Sequence, residues 1–290
     1  MKMKIDNSKF DILFLCHEKD VEILKSSIKY AQKNVAGYRK IFVLSQNNYF
    51  PENKDITFVD EKIFPFNKSI IGKQAPKGRA GWYYQQFLKL YFLRVTGKEV
   101  LDNVLCIDAD SMFIKKTTFF EGEIPLYNVD IGAHQPYFDI LEKVFGFGKQ
   151  HSKYSGTTHH MMYQRKYISE IFDFVKKKYG VEFWKVIMDN VDSKTISGFS
   201  EQDLYLNYML KHHPNKIKIR KMRFMNFPYY TKRWVKLFSF LGYHYLSAHD
   251  YLINDKFSAP KRLVVEFITF LGIKRFIKEG LMKLKILKRV

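Results

Sequence analysis

The stretch Val104-Leu-Cys-Ile-Asp-Ala-Asp-Ser-Met-Phe113 decides the fold. An apolar run ends abruptly at two carboxylates two positions apart. A short apolar run bounded by polar residues predicts a strand buried on both faces, as in a parallel sheet. Side chains alternate along a strand, so Asp108 and Asp110 share a side if the strand continues through them. Two converging carboxylates repel each other and lose hydration. A divalent cation relieves both penalties, and Mg2+ and Mn2+ prefer oxygen ligands. The alternative is that one Asp caps a turn and the other is solvated.

Upstream, Phe10-Asp-Ile-Leu-Phe-Leu-Cys16 predicts a first buried strand, followed by a helix over Val21 to Gln32. Lys40 to Ser45 and Ile56 to Asp60 predict two more strands, with Asn47, Asn48, Pro51 and Asn53 in the loop between them. Strands alternating with helices imply an α/β fold with a mostly parallel sheet flanked by helices. Ligands of such sheets bind at the carboxyl ends of the strands. The Asp pair and the polar residues after the first strand both fall there.

Gln74-Ala-Pro-Lys-Gly-Arg-Ala-Gly81 predicts a basic, glycine-containing loop that feeds a helix from Trp82 to Val95. Tyr84, Leu88, Tyr91, Phe92 and Val95 follow helical spacing and mark a core face. Gln86 and Lys89 lie off that stripe, three residues apart. A basic loop at a helix amino terminus suits an anion; a solvated loop and a solvated Lys89 are the plainer alternative.

Downstream, Asp130 to His134 predicts a strand running into a turn. The stretch from Phe145 to Thr158, with Gly146, Gly148 and Gly156, predicts a mobile loop. His159 and His160 point in different directions on a helix or a strand, so they do not chelate one metal together. Helices are expected from about Lys166 to Lys178, from Phe183 to Val191 and from Leu204 to Leu210. Ser200-Glu-Gln-Asp203 approximates a capping box at the start of the last. Its further use would be to present Glu201 or Asp203 to a reacting hydroxyl. Leu246-Ser-Ala-His-Asp-Tyr251 adds His249, a possible third metal ligand or a structural histidine.

The formal net charge is +20 in 290 residues, and such an excess implies an anionic partner. From Lys256 to Val290 there are ten Lys/Arg against two acids. In the same segment Leu263, Phe267, Phe270 and Leu271, then Ile273, Phe276, Ile277, Leu281, Leu284 and Leu287, form apolar stripes. That pattern predicts a basic amphipathic helix on an anionic membrane. Zinc-finger spacing and aromatic-basic RNA motifs are absent, which argues against nucleic acid. Cys16 and Cys106 sit in apolar runs and read as core residues. With no signal segment after Met1 and no uncharged run near the ~20 residues that span a bilayer, the expected location is cytoplasmic, peripheral on the inner membrane face.

Four stretches together resemble the bacterial GT-A glycosyltransferases with a DxD motif, of the capsule and lipopolysaccharide type. They are Gly81-Trp-Tyr-Tyr-Gln-Gln-Phe-Leu-Lys-Leu90, Cys106-Ile-Asp-Ala-Asp-Ser111, His159-His-Met-Met162 and Ser200-Glu-Gln-Asp-Leu-Tyr205. The resemblance covers about residues 8 to 252. It implies a Rossmann-like GT-A domain over 1–255, with 256–290 as a membrane-associated tail. It implies transfer of a sugar from a nucleotide-diphosphate sugar, UDP-sugar favoured, to a saccharide or lipid-linked glycan. By the same resemblance Mn2+ or Mg2+ is held by Asp108, Asp110 and His249. The implied sugar-nucleotide contacts are Lys77, Arg79, Gln86, Lys89, Asp108 and His160. Glu201, and after it Asp203, is the implied catalytic carboxylate; general-base use requires an inverting enzyme.

Two other enzyme classes share paired carboxylates on an α/β sheet. A sugar-phosphate nucleotidyltransferase needs a glycine-rich loop after the first strand, and Cys16-His-Glu-Lys-Asp20 lacks one. An Asp-based phosphohydrolase usually carries its Asp-x-Asp on the first strand, and here about three strands precede it.

Overall fold

The computed structural model describes residues 8–192, 195–227 and 232–248. The chain divides into two compact units, Met1–Met222 and Arg223–Val290. The expected boundary after residue 255 lies outside the described residues.

The first unit opens with β1 (Phe10–Leu15), α1 (Val21–Asn34), β2 (Tyr38–Ser45) and β3 (Ile56–Asp60). Then come α2 (Lys68–Gly72), α3 (Ala80–Val95), β4 (Asn103–Ile107), β5 (Ser111–Phe113), β6 (Phe120–Glu121), β7 (Ile124–Tyr127) and β8 (Asp130–Ile131). It continues with α4 (Gln135–Phe145), β9 (Tyr154–Ser155), β10 (His160–Gln164), α5 (Arg165–Tyr179), α6 (Phe183–Asn190), α7 (Glu201–His212) and β11 (Lys218–Ile219).

The central sheet has the order β10-β4-β1-β2-β3. β1 pairs in parallel with β2 and β4, β2 pairs in parallel with β3, and β10 runs antiparallel on the edge of β4. The apolar runs behave as a parallel core demands. Every residue of β4 is buried, and so is all of β1 but Leu15. Asp11, and Asn103 at the start of β4, are the exceptions in type; Asp11 is the charged one. The buried Asp11 carboxylate takes two parallel bonds from Arg39, 2.9 and 2.6 Å, and one from the Leu101 N–H. That geometry satisfies a charge that would otherwise be costly inside a strand.

β4 stops at Ile107. The Ser111 N–H closes a turn on the Asp108 carbonyl at 2.9 Å, so Asp108 and Asp110 do not extend one strand. The turn is held from α1. Ser27 Oγ donates to the Ala109 carbonyl (2.8 Å), and Asn34 Nδ2 to the Phe113 carbonyl (2.7 Å). These residues are seven apart, two helical turns, and so lie on one face of α1.

α3 differs from its expected one-sided burial. Tyr83, Tyr84 and every residue from Gln86 to Leu93 are buried, so the helix runs through the core. Phe66, Tyr91, Phe172 and Phe183 pack around it edge-to-face or stacked, with ring centroids 4.6–4.8 Å apart. α4 was not anticipated, although Pro136 in its first turn and the buried Phe138, Leu141 and Val144 fit a helix.

The second unit places α8 (Lys232–Phe240) between β12 (Phe224–Phe227) and β13 (Tyr245–Ala248), which pair in parallel. Phe238 packs on Phe227 and Tyr243, while Phe240 is 80% exposed beside exposed Arg233, Lys236 and Leu237. Among the described residues, no helix is long and apolar enough to cross a membrane.

Candidate active site

Because β2 and β3 lie on one side of β1 and β4 on the other, the carboxyl ends of β1 and β4 flank the crevice where open α/β sheets bind ligands. Asp108 is the first residue beyond β4. Its N–H donates to the His159 carbonyl at 2.9 Å, which continues the β4–β10 ladder by one rung.

A buried ion-pair cluster forms there. Lys89 Nζ donates to Asp108 Oδ1 at 2.6 Å and to Glu201 Oε1 at 2.9 Å. The Lys89 and Glu201 side chains are 7% and 6% exposed. Lys89 comes from the middle of α3 and Glu201 from the first turn of α7, 112 residues apart. Gln86, one turn before Lys89, accepts from the Glu201 N–H at 3.0 Å and donates to the Trp82 carbonyl at 3.3 Å. α3 therefore fixes both ends of Glu201. Burial works against the charge on Lys89, but Asp108 and then Glu201 outweigh it and hold the ammonium well above the ordinary lysine value. Burial likewise pushes the Asp108 carboxyl up, yet Lys89 and then His159 hold it below the ordinary carboxylate range.

Asp203 has a different setting. It is fully buried and accepts from Ser155 Oγ (2.8 Å), the Gly156 N–H (2.7 Å) and Thr157 Oγ1 (3.0 Å). Its own N–H donates to Ser200 Oγ at 3.1 Å, the expected helix cap. Gln202 Oε1 accepts from the Thr158 N–H, and Asn207 Oδ1 from the Gln150 N–H. Gly156 lies so close to α7 that a Cβ there would sit 2.8 Å from the Gln202 carbonyl. The glycine-containing stretch read as a mobile loop is thus fastened to α7.

That fastening delivers His159 in the left-handed conformation (φ 64°), unusual for a residue with a side chain. Its Nδ1 lies 3.6 Å from Asp108 Oδ2. His160 points the other way, edge-on to Phe113 and Phe119. Burial drives its pKa down to about 3, so its ring is neutral at physiological pH.

Of the residues expected at the site, Asp108, Lys89, Glu201 and Gln86 are brought together. Asp110 is half-buried in the turn beside Asp108. Asp203 anchors the neighbouring segment, and His160 lies in the core. Arg79 stacks on Trp82 at 4.5 Å and donates to Ser197 Oγ and the Ile196 carbonyl. Lys77 is exposed on the preceding loop. His249 lies outside the described residues. His159 is the residue that sequence reasoning passed over in favour of its neighbour. The histidine doublet was visible, but which ring faces Asp108 depends on β10 pairing His160 with Ile107.

Lys89 against Asp108 and Glu201 leaves one negative charge in excess, and Asp110 adds another. The oxygen donors and the excess charge fit a hard divalent cation in kind. Among the described residues, no group of three His, Cys, Asp or Glu side chains is assembled to hold one, so completing the coordination would call on further ligands such as substrate or water. Compared as a whole, the chain matches no known protein family and no curated protein.

Proposed function

We propose that this protein is a GT-A-type glycosyltransferase. It would move a sugar from a nucleotide-diphosphate sugar, UDP-sugar favoured, to a saccharide or lipid-linked glycan of a bacterial surface polysaccharide. The observation that carries this reading is the Lys89–Asp108–Glu201 cluster at the β1/β4 crevice. Burying Lys89 and Glu201, with Asp108 half-buried against them, costs desolvation that a well-packed apolar core would avoid, so such clusters point to function more than to stability.

In this reading Asp108 and Asp110 hold Mn2+ or Mg2+, with His249 as the further ligand suggested by sequence. A bound divalent cation would supply positive charge for the departing nucleoside diphosphate. Lys89 fixes Asp108 in its charged form and orients it toward the crevice. Glu201, held by Gln86 and Lys89, is the carboxylate that would accept the acceptor hydroxyl's proton in an inverting reaction. Asp203 is assigned to holding residues 155–157, and through them His159. The basic segment 256–290 would keep the enzyme on an anionic membrane near a lipid-linked acceptor. The exposed Phe240 and Leu237 beside Arg233 and Lys236 on α8 suit the same surface.

The test is a screen of UDP-, GDP-, CMP- and dTDP-sugars for binding and hydrolysis, with and without Mn2+. Binding of none of them in the presence of metal would end the proposal. Given an active donor, Glu201→Gln should lower kcat by about 10²–10⁴-fold with little change in donor KM, the range for losing a general base. An unchanged kcat would remove Glu201 from the chemistry.

A further inference from the structure

A shelf of rings lies on the Glu201 side of the cluster. Trp82 and Tyr137 are both half-buried, with near-parallel rings (20°) and centroids 6.3 Å apart. His134, at the amino end of α4, packs edge-on to Tyr137 at 4.6 Å. Two contacts tie the shelf to the loop that leads into Glu201. His134 Nε2 lies 2.7 Å from the Ser197 carbonyl, and Arg79 Nη2 donates to Ser197 Oγ at 2.9 Å. Gln86 links the shelf to the carboxylate directly, since it donates to the Trp82 carbonyl and accepts from the Glu201 N–H. The charge of Glu201 reaches Tyr137. Burial first, and Glu201 next, push the phenol up to about 12.

Core packing does not require this arrangement. The rings of the α3 core, such as Phe87 and Phe92, are completely buried. At the shelf, two rings stay half-exposed beside an exposed imidazole. Ile196, one residue from Ser197, is 67% exposed. Half-exposed aromatic rings beside an exposed imidazole, with the Arg79 guanidinium 4.5 Å over one face of Trp82, match one ligand chemistry well. A pyranose has an apolar C–H face for a ring and a rim of hydroxyls for the polar neighbours. The donor end of the site lies elsewhere, at Asp108 and Asp110 against α1.

We propose that Trp82 and Tyr137, bordered by His134 and Arg79, form the acceptor subsite, on which a saccharide stacks so that a hydroxyl is presented to Glu201. This rests on the transfer reading above. It adds the residues that choose the acceptor.

The test separates the two. Lactose, maltose, cellobiose and N,N′-diacetylchitobiose are titrated into the full-length protein by saturation-transfer NMR. UDP-sugars are titrated separately by calorimetry. The expected result is saturable millimolar binding of at least one disaccharide. Trp82→Leu and Tyr137→Leu should each weaken it about tenfold, equivalent to about 1.4 kcal/mol, with UDP-sugar affinity unchanged. Tyr137→Phe, which keeps the ring, should retain binding. The wild type gives an independent readout, because the Trp82 indole N–H resonance, assigned by its loss in Trp82→Phe, must shift with the disaccharide. Equal disaccharide binding by the Leu variants would overturn the subsite. So would a loss of UDP-sugar affinity in them, which would make the shelf a donor-base platform. UDP-sugar binding with no disaccharide binding would overturn the subsite and leave the transfer reading standing. Binding of neither class would end both.

Discussion

Replacing Lys89 with Met should damage the protein most near neutral pH. The substitution keeps a long, buried, unbranched side chain on α3 and deletes only the charge. Asp108 and Glu201 then face each other without the ammonium that bridges them at 2.6 and 2.9 Å. Removing one member of a buried ion pair typically costs about 3–5 kcal/mol. A second route gives a similar figure. The cluster can shed one charge by taking up a proton, and holding an ordinary carboxyl of pKa near 4 protonated at pH 7 costs about three units at 1.36 kcal/mol each, or roughly 4 kcal/mol. At pH 5 the same step costs about 1.4 kcal/mol, so the deficit should shrink by roughly 2.5 kcal/mol between pH 7 and 5. In the wild type, Asp108 and Lys89 contribute no slope of their own there. Asp108 is depressed in the fold, so its contribution is complete above the ordinary value near 3.9 and is lost only as pH falls through the lower folded value. Lys89 is raised, so its contribution is complete below about 10.4 and is lost only as pH climbs through the higher folded value. Urea denaturation of wild type and Lys89→Met at both pH values, followed by tryptophan fluorescence, measures the difference. Adding Glu201→Gln to Lys89→Met should recover part of the loss at pH 7, because one of the opposed charges is gone. A deficit below about 1 kcal/mol at pH 7, or one that does not shrink at pH 5, would refute the view that Lys89 neutralises the buried Glu201 and the half-buried Asp108.

Other outcomes follow from the same geometry. His159→Gly should leave stability equal or raised by up to about 1 kcal/mol, since glycine accepts φ 64° without strain. Any sugar-nucleotide turnover should fall in that variant with the lost imidazole, and a variant both less stable and fully active would contradict the assignment. Burial lifts the Cys16 thiol to about 12 and Cys106 higher still, so neither should react with a thiol-specific disulfide reagent at pH 8 until guanidinium chloride unfolds the chain. Native labelling of Cys106 would show the α3–β4 core to be open. Deleting residues 256–290 should reduce sedimentation with phosphatidylserine vesicles at low salt, each basic residue being worth about 1 kcal/mol at such a surface. Equal sedimentation of the full and shortened chains would remove the tail from membrane binding.

Much of the architecture was legible before any tertiary contact was known. The strands at 10–15 and 103–107, and the second half of 38–45, are largely apolar and buried, because both faces of a parallel sheet are covered there, while edge strand 56–60 is only half-buried. The start of α7 was legible in Ser200 and Asp203, because capping is a bond between residues three apart. Local sequence also marked Asp108 as the end of β4. It did not mark the turn that separates Asp108 from Asp110, which Ser27 and Asn34 hold from 75 or more residues away. It hid the destiny of Lys89 as well, since a lysine off a helical stripe reads as solvated until the opposite face is also found buried.

By itself the sequence determined the α/β class, the place of the Asp pair at a strand end and the basic charge of the final segment. Those follow from periodicity and composition, which need only near neighbours. The tertiary structure alone decided that Glu201 meets Asp108 across Lys89, that Asp203 holds residues 155–157, and that His159 faces the site while His160 enters the core. Each of those outcomes depends on burial and on partners tens of residues distant. There the desolvation of a charge and the register of one strand, not local preference, determine what a side chain can touch.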